Sequence, residues 1–175
     1  RSAGGNLSLT ATNNLTLSDA ADAATSGSGT LYLASASGAV LGAAGSQLAT
    51  VSGDLLLEAA GNLTLGTVHS SSGGVGIRST SGSVLTATGG TLDRTVVTAG
   101  SLTLAVDGAV AGADGASEDL RTAVSTLTLS NGASGTVYGI RNSGDLRIDA
   151  TSTSATSYDI LRAATTESIA AQSDF

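Results

Sequence analysis

The amino-acid sequence predicts an all-β fold, a right-handed parallel β-helix (solenoid) of about seven coils with three short strands per coil. Three observations predict it: an aliphatic pair recurs about every twenty-three residues, each interval holds further apolar stretches, and proline is absent from all 175 residues. Proline removes a donor from the ladder of backbone hydrogen bonds, so a chain that is nearly all paired strand avoids it. The right hand follows from the usual preference of parallel connections.

The recurring pair has one residue between its members, as in Leu31 and Leu33 of the stretch GTLYL. Side chains alternate along a strand, so both members of each pair face the same side. The second members of the pairs are Leu9, Leu33, Leu57, Ile77, Leu104, Leu129 and Ile148. Stacked coils bury a continuous apolar column that one coil cannot bury alone. Glycine ahead of the pair is expected to supply the corner conformation.

Two further apolar stretches in each interval predict the second and third strands of a coil. The second is marked by Leu15, Val40, Leu63, Val84, Val110, and Val137 with Ile140. The third is weaker and is marked by Leu48 with Val51, Val68, Leu92 with Val96, and Leu120 with Val124.

The repeat divides the chain into a β-helix region at 1–150 and an irregular tail at 151–175. In the tail, Ile160, Leu161, Ala164 and Ile169 have partly helical spacing, so a short helix that caps the last coil is one interpretation. Natural solenoids cover their exposed ends in this way.

Composition excludes several classes of function. The net charge is −7, from fourteen acidic residues against seven arginines, and lysine and cysteine are absent. Nucleic acids and anionic lipids favour clustered basic residues, so we expect no nucleic acid as a partner. The sequence has no run of about 18 apolar residues, so we expect no insertion into a membrane. Without cysteine the chain has no disulfides and no thiolate metal ligands. We expect no cofactor.

Two groups of residues were weighed as metal sites. The only histidine, His69, follows Val68 in a third strand, and zinc needs three or four ligands, so a solvated side chain is favoured. The acidic residues of the stretch VDGAVAGADGASEDL are weak candidates for a calcium loop; they are Asp107, Asp114, Glu118 and Asp119. Their spacing fits neither an EF-hand nor a glycine-rich calcium repeat, which favours a solvated loop.

An enzyme that cleaves polysaccharides is the alternative function, because many β-helices belong to that class. Such hydrolases need two carboxylates at a set separation. The candidates by residue type are Asp54, Asp93, Asp145 and Asp149, and about 19 Å separates Asp54 from Asp145 if four coils lie between them. The tyrosines Tyr32, Tyr138 and Tyr158 are scattered along the chain. These observations favour a protein without catalytic activity.

Three stretches read as acceptors for N-linked glycans, beginning at Asn6, Asn14 and Asn62. Asparagine is also a favoured turn residue, and two of the three stretches lie at the start of a predicted strand. A structural role is therefore the preferred interpretation of these asparagines.

The repeats GNLSLTATNNLTL, AAGNLTLGTV and TSGSVLTATGGTL resemble those of filamentous haemagglutinin-like exoproteins, large adhesins that Gram-negative bacteria secrete by the two-partner route. The resemblance covers nearly the whole chain, and autotransporter passenger domains have similar repeats. It implies a secreted or cell-surface rod, an outer-membrane transporter as the partner during secretion, and no catalytic residues. The family's secretion domain carries Asn-Pro motifs, so this proline-free chain is expected to be a shaft segment.

The expected function is a structural and adhesive segment that holds a rigid rod and presents loops, notably 107–119, to a receptor or glycan on a host or neighbouring cell. The alternatives are the carbohydrate-active enzyme and an autotransporter passenger or toxin-delivery stalk.

Overall fold

The computed structural model describes residues 1–88, 94–112, 119–130, 137–150, 157–162 and 170–172. Over these residues the regular structure is all β-strand, and the strands pair in parallel to form a solenoid, which confirms the predicted fold class. The strands are β1 Leu7–Ala11, β2 Leu15–Leu17, β3 Asp22–Ala24, β4 Leu31–Ser35, β5 Val40–Gly42, β6 Gln47–Thr50, β7 Leu55–Ala59, β8 Leu63–Leu65, β9 Thr67–Ser70, β10 Gly74–Ser79, β11 Val84–Thr86, β12 Val97–Val106, β13 Val110–Ala111, β14 Leu120–Ser130, β15 Val137–Asn142, β16 Arg147–Ala150, β17 Ser157–Arg162 and β18 Ala170–Gln172.

The strands stack in three columns, one for each strand position of a coil. The first column runs through β1, β4, β7, β10, β12, β14, β16 and β18. Within it the predicted pairs lie directly above one another: Leu31 is opposite Leu55, which is opposite Val75. From β1 to β14 the register therefore matches each pair to the pair of the next coil, as the repeat predicts.

The structure has about five turns, rather than the seven predicted. From β12 onward a third strand and the next first strand run together in one element, as in β12 Val97–Val106 and β14 Leu120–Ser130, and the alternation of inward and outward residues is interrupted at Gly100 and at Ser125. The last predicted pair is also shifted, since Leu127 lies opposite Ile148 and not opposite Leu146. A shift of two residues keeps the same side chains on the inner face, which explains why the pattern still looked regular.

The aliphatic pairs form the core. Those with no exposed surface include Leu31, Leu33, Leu55, Leu57, Leu102, Leu104 and Leu127. The second column continues it with Leu63, Val84 and Val110. The next residue in this column is Tyr138 and not the predicted Val137. Tyr138 is buried, and its hydroxyl donates a hydrogen bond to the backbone carbonyl of Val106, which satisfies the one polar group that the ring brings into the core.

The third column corrects one predicted core position. Val51 is 49% exposed, because the chain turns after β6, in which Leu48 and Thr50 face inward. Val97 lies opposite Val68 in the column, and the predicted Val96 is buried beside it. The predicted Leu92 lies outside the described residues.

Glycine before the first strand has the expected corner conformation at Gly144, whose φ is +103°, whereas at Gly29 and Gly53 it serves close packing, which corrects the expectation there. Positive φ angles among the described glycines fall at Gly4, Gly27 and Gly144. Gly53 has none, but a Cβ there would collide with the carbonyl of Gly29 in the coil before it. Glycine is needed at this corner because successive backbones approach too closely for a side chain.

Buried hydroxyl groups tie the corners. Ser35, Ser70 and Ser79 each accept a hydrogen bond from the N–H of the glycine three residues later, at 3.0, 2.9 and 2.9 Å. Each is almost fully buried. These bonds satisfy backbone donors that the turn removes from the strand ladder.

The tail differs from the helix that its spacing allowed. Ile160 and Leu161 belong to β17, which pairs with β15, and β18 pairs with β16. The columns therefore continue past residue 150, because the edge of the preceding coil offers unpaired backbone groups to any extended segment. Ala164 and Ile169 lie outside the described residues. Among those described, no helix is long and apolar enough to cross a membrane.

Truncation of a core leucine should destabilise the solenoid strongly. Leu57 has no exposed surface, so Leu57→Ala should lower the free energy of unfolding by roughly 2–5 kcal/mol. Its neighbour Leu56 is 38% exposed on the outer face and provides the control, since Leu56→Ala should cost about 0.5 kcal/mol or slightly more. Urea denaturation followed by circular dichroism measures both. Equal losses for the two variants would contradict the assignment of inner and outer faces.

Candidate functional site

The outer face of the first column carries a groove lined by four successive coils, three of which supply its largest polar side chains. Tyr32 lies on β4, Glu58 on β7 and Arg78 on β10. Glu58 and Arg78 are opposite one another in the pairing register, and Tyr32 is opposite Leu56, two residues before Glu58. We call this site the Tyr32 groove. Its volume is about 350 Å³, and small residues complete its walls: Thr10, Ala34, Ala36, Ala60 and Thr80.

Glu58 is the centre of the polar contacts in the Tyr32 groove. The Tyr32 hydroxyl donates a hydrogen bond to Glu58 Oε2 at 2.6 Å, and Arg78 Nη1 lies 3.8 Å from Glu58 Oε1. The Glu58 side chain is 31% exposed and that of Arg78 is 57% exposed. An ion pair at this separation and exposure contributes little stability, so both groups remain available to a ligand.

The contact with Glu58 keeps the Tyr32 phenol protonated. The hydrogen bond to Glu58 raises the pKa of Tyr32 above its ordinary value, and loss of solvent and the negative charge of Glu58 raise it further. A phenol with a raised pKa is a hydrogen-bond donor at neutral pH and a poor general base. The arrangement therefore favours binding over proton abstraction.

The groove offers one carboxylate for chemistry. Hydrolysis of a glycosidic bond by the usual route requires two, roughly 5–10 Å apart. Among the lining residues that the structure describes, Glu58 alone has a carboxylate. The groove thus has the donors and acceptors of a binding site without the second acid of a hydrolase.

A second, shallower groove of about 280 Å³ lies on the same outer face. It is lined by Asp54, Leu56, Gly74, Gly76 and Thr103, among others. Its floor is low because two of these residues are glycines on β10. Asp54 Oδ1 accepts a hydrogen bond from the Gly74 N–H at 2.8 Å, so this carboxylate helps to join two successive coils.

The candidate metal ligands are not brought together over the described residues. His69 points outward from β9, and its Nε2 lies 3.0 Å from Ser71 Oγ. Asp107 is exposed, and Asp119 Oδ2 lies 3.8 Å from Nε of Arg141. Asp114 and Glu118 lie outside the described residues. Within the described ranges no three His, Cys, Asp or Glu side chains are grouped as a metal site requires.

The aspartates considered for catalysis are also apart. Asp54 precedes β7 and Asp145 precedes β16, four strands further along the first column, which is about 19 Å at the usual strand spacing. Asp149 Oδ1 lies 3.2 Å from Nε of Arg147. Asp93 falls in a stretch that is not described.

The three asparagines of the glycan-acceptor stretches have architectural roles. Asn6, Asn14 and Asn62 each accept a hydrogen bond through Oδ1 from a backbone N–H of the next coil, at 3.0, 2.9 and 2.9 Å. Asp54 makes the same contact at another corner. Each side chain thus extends the backbone ladder across a corner where the strands themselves stop pairing.

The Tyr32 groove was not predicted from the sequence, although the repeat contained the signal. Glu58 and Arg78 each follow the second member of an aliphatic pair, in adjacent coils, and Tyr32 lies between the members of the preceding pair. The register places these outer positions side by side. Counting the tyrosines as scattered was wrong for Tyr138 and Tyr158, which lie opposite one another where β15 pairs with β17. In the described pairing Tyr32 lies opposite Ser8 and Leu56, so its neighbours are not tyrosines.

The fold and the groove define a parallel β-solenoid with an exposed polar site on one sheet. Compared with known proteins, the chain matches no family model, no curated protein and no solved structure. Its function must therefore be argued from its own residues.

Loss of an inter-coil contact by Asn62 should destabilise the fold moderately. Asn62→Ala removes the acceptor for the Ser83 N–H and should lower the free energy of unfolding by about 0.5–1.5 kcal/mol. Asn62→Asp keeps an acceptor, as Asp54 does naturally, and should cost less than half as much. Urea denaturation compares the two variants, and an equal loss would show that the acceptor is not the important feature.

The Tyr32–Glu58 contact predicts a pH dependence. Because the pKa of Tyr32 is higher in the folded than in the unfolded state, its contribution to stability is present below about pH 10 and is lost as the pH rises through the raised value. The absorbance difference between wild type and Tyr32→Phe should show phenol ionisation with a midpoint above 10. Glu58→Gln should move the midpoint down. A midpoint at the ordinary value in wild type would contradict the contact.

Proposed function

We propose that the chain is a structural and adhesive segment of a large secreted bacterial surface exoprotein. In this role it is a rigid rod that presents its outer faces to a receptor or glycan on a host or neighbouring cell. The observation that carries the proposal is the continuous stacking of first-column strands in register from β1 to β14, with the aliphatic pair of each coil above the last.

Rigidity follows from the number of ties between coils. Each coil is joined to the next by strand pairing in three columns, and corner side chains such as Asn62 add further hydrogen bonds between successive coils. A coil in such a stack contacts its neighbours only, so the rod lengthens by about 4.8 Å per coil without a change in its cross-section. This geometry suits a spacer that holds a binding surface away from a cell.

The outer surface supports attachment more than catalysis. It is made of small polar residues with a net charge of −7 for the chain, and its described grooves are shallow and open. The resemblance of the repeats to filamentous haemagglutinin-like exoproteins supports secretion by the two-partner route, with an outer-membrane transporter as partner. A passenger of an autotransporter is the alternative parent, since it uses the same kind of rod.

Antibodies raised against the folded chain test the proposal on intact cells of the bacterium that produces it. They should label the surface without permeabilisation or detect the protein in the culture medium. Fab fragments of the same antibodies should reduce attachment of the bacteria to epithelial monolayers or to one another by severalfold. Fab fragments against an unrelated surface protein that does not act in attachment provide the control. Labelling that requires lysis, or attachment that is insensitive to the Fab fragments, would overturn the proposal.

A further inference from the structure

We propose that the Tyr32 groove is a binding subsite for a neutral, hydroxyl-rich glycan chain. This inference rests on the proposed function, since it names the chemical class of partner that the rod would engage. Three features of the groove support it. Its polar side chains have donors and acceptors that can still bind a ligand, an apolar surface lies beside them, and the opposite charges of Glu58 and Arg78 balance.

The hydrogen-bonding capacity lies on Glu58 and Arg78. Glu58 accepts one hydrogen bond, from Tyr32, and a carboxylate can accept about four. Arg78 Nη1 is 3.8 Å from Glu58 Oε1, which is beyond hydrogen-bond distance, so within the described part of the chain the ion pair leaves this donor available to a ligand. Neighbouring hydroxyl groups of a sugar each donate and accept, and an acceptor beside a donor is the pattern that they match.

The apolar surface lies on the same outer face. Tyr32 is half-buried among small residues, and Leu56, directly opposite it in the pairing register, is 38% exposed. Aromatic rings with a polar tip are common at recognition sites because one end is apolar and the other hydrogen-bonds. A sugar ring has a face of C–H groups above its hydroxyls, and it would rest on this surface with its hydroxyl edge toward Glu58.

The size and direction of the groove fit a chain and not a single ion. From β4 to β10 the three coils span about 10 Å at the usual strand spacing. The volume of about 350 Å³ is at the lower end of small-molecule clefts, which run roughly 300–1,000 Å³. The second groove, which Leu56 lines, lies on the same outer face and reaches Thr103 on β12, one coil beyond Arg78, so an oligosaccharide has further surface to contact there.

The charge of the site selects neutral glycans over acidic ones. Arg78 is paired with Glu58, so the groove has no excess positive charge to attract a sulfate or a uronate. The chain as a whole carries −7. Its field repels polyanions, and this repulsion acts on every approach to the groove.

The test is isothermal titration calorimetry, with saturation-transfer difference NMR, on the purified chain. The neutral probes are cellohexaose, maltohexaose and mannohexaose, and the acidic probes are a galacturonic acid hexamer and a heparin hexasaccharide. At least one neutral probe should bind. Glu58→Gln and Tyr32→Ala should each weaken the affinity for that probe about tenfold, because the first removes hydrogen bonds to a charged group and the second removes the ring on which the sugar stacks.

Asp149→Asn is the matched control. Asp149 lies on the same column and forms an ion pair with Arg147 at side-chain exposures of 33% and 64%, close to those of Glu58 and Arg78. It should leave affinity within twofold of wild type. Thermal unfolding by circular dichroism identifies any variant that is misfolded, and Tyr32→Phe, which keeps the ring, replaces Tyr32→Ala in that case and should weaken binding less than Glu58→Gln.

Three results would overturn the inference: no binding of any neutral probe, binding of acidic probes only, or neutral binding that the groove variants do not change. The outcomes separate this inference from the proposed function. Surface labelling and Fab-sensitive attachment without neutral-glycan binding would remove the glycan subsite and leave the adhesive rod. Glycan binding by a protein that is found only inside the cell would keep the glycan subsite and remove the proposed adhesive role at the cell surface.

Discussion

The register between successive coils is the constraint on which the whole structure depends. Leu31, Leu55 and Val75 lie opposite one another because a slip of one residue would turn every aliphatic pair to solvent and every polar residue into the core. With few aromatics and no methionine the core cannot repack around such a slip, since Leu, Val and Ile fill a narrow column of fixed width. The strand pairing and the core therefore enforce the same alignment.

The corners show how the chain keeps that register while it turns. Strand pairing stops at each corner, and backbone donors there need other partners. Ser35 and Ser79 satisfy them from inside the solenoid, whereas Asn14 and Asn62 satisfy them from outside, across to the next coil. The high content of serine, threonine, glycine and asparagine is thus a requirement of repeated corners, and the stretches that read as glycan acceptors follow from it.

Sequence reasoning was most successful where one face was buried and the period was two. The pairs led by Leu31, Leu55 and Leu102 were placed correctly because burial restricts those positions to aliphatic residues. The prediction of the register failed where two pairings satisfy the same period of two. The shift that brings Ile148 opposite Leu127 leaves the same side chains on the inner face. The groove was missed for a related reason. Outer positions obey no hydrophobic pattern, so only the register, and not the composition, brings Tyr32 to Glu58.

A site built on such a solenoid has properties that a pocket in a globular domain lacks. Its members come from different coils, Tyr32 from one, Glu58 from the next and Arg78 from the one after, and their relative positions are fixed by the inner pairs beneath them. Residues on the outer face can be substituted without loss of core packing, because they do not pack in the core. The core keeps the strands that carry them about 4.8 Å apart. Recognition of an extended chain is favoured by this arrangement, because a ligand that also repeats can make one contact per coil. The same regular stacking that aligns the core thus sets the spacing of the groups that the outer surface presents.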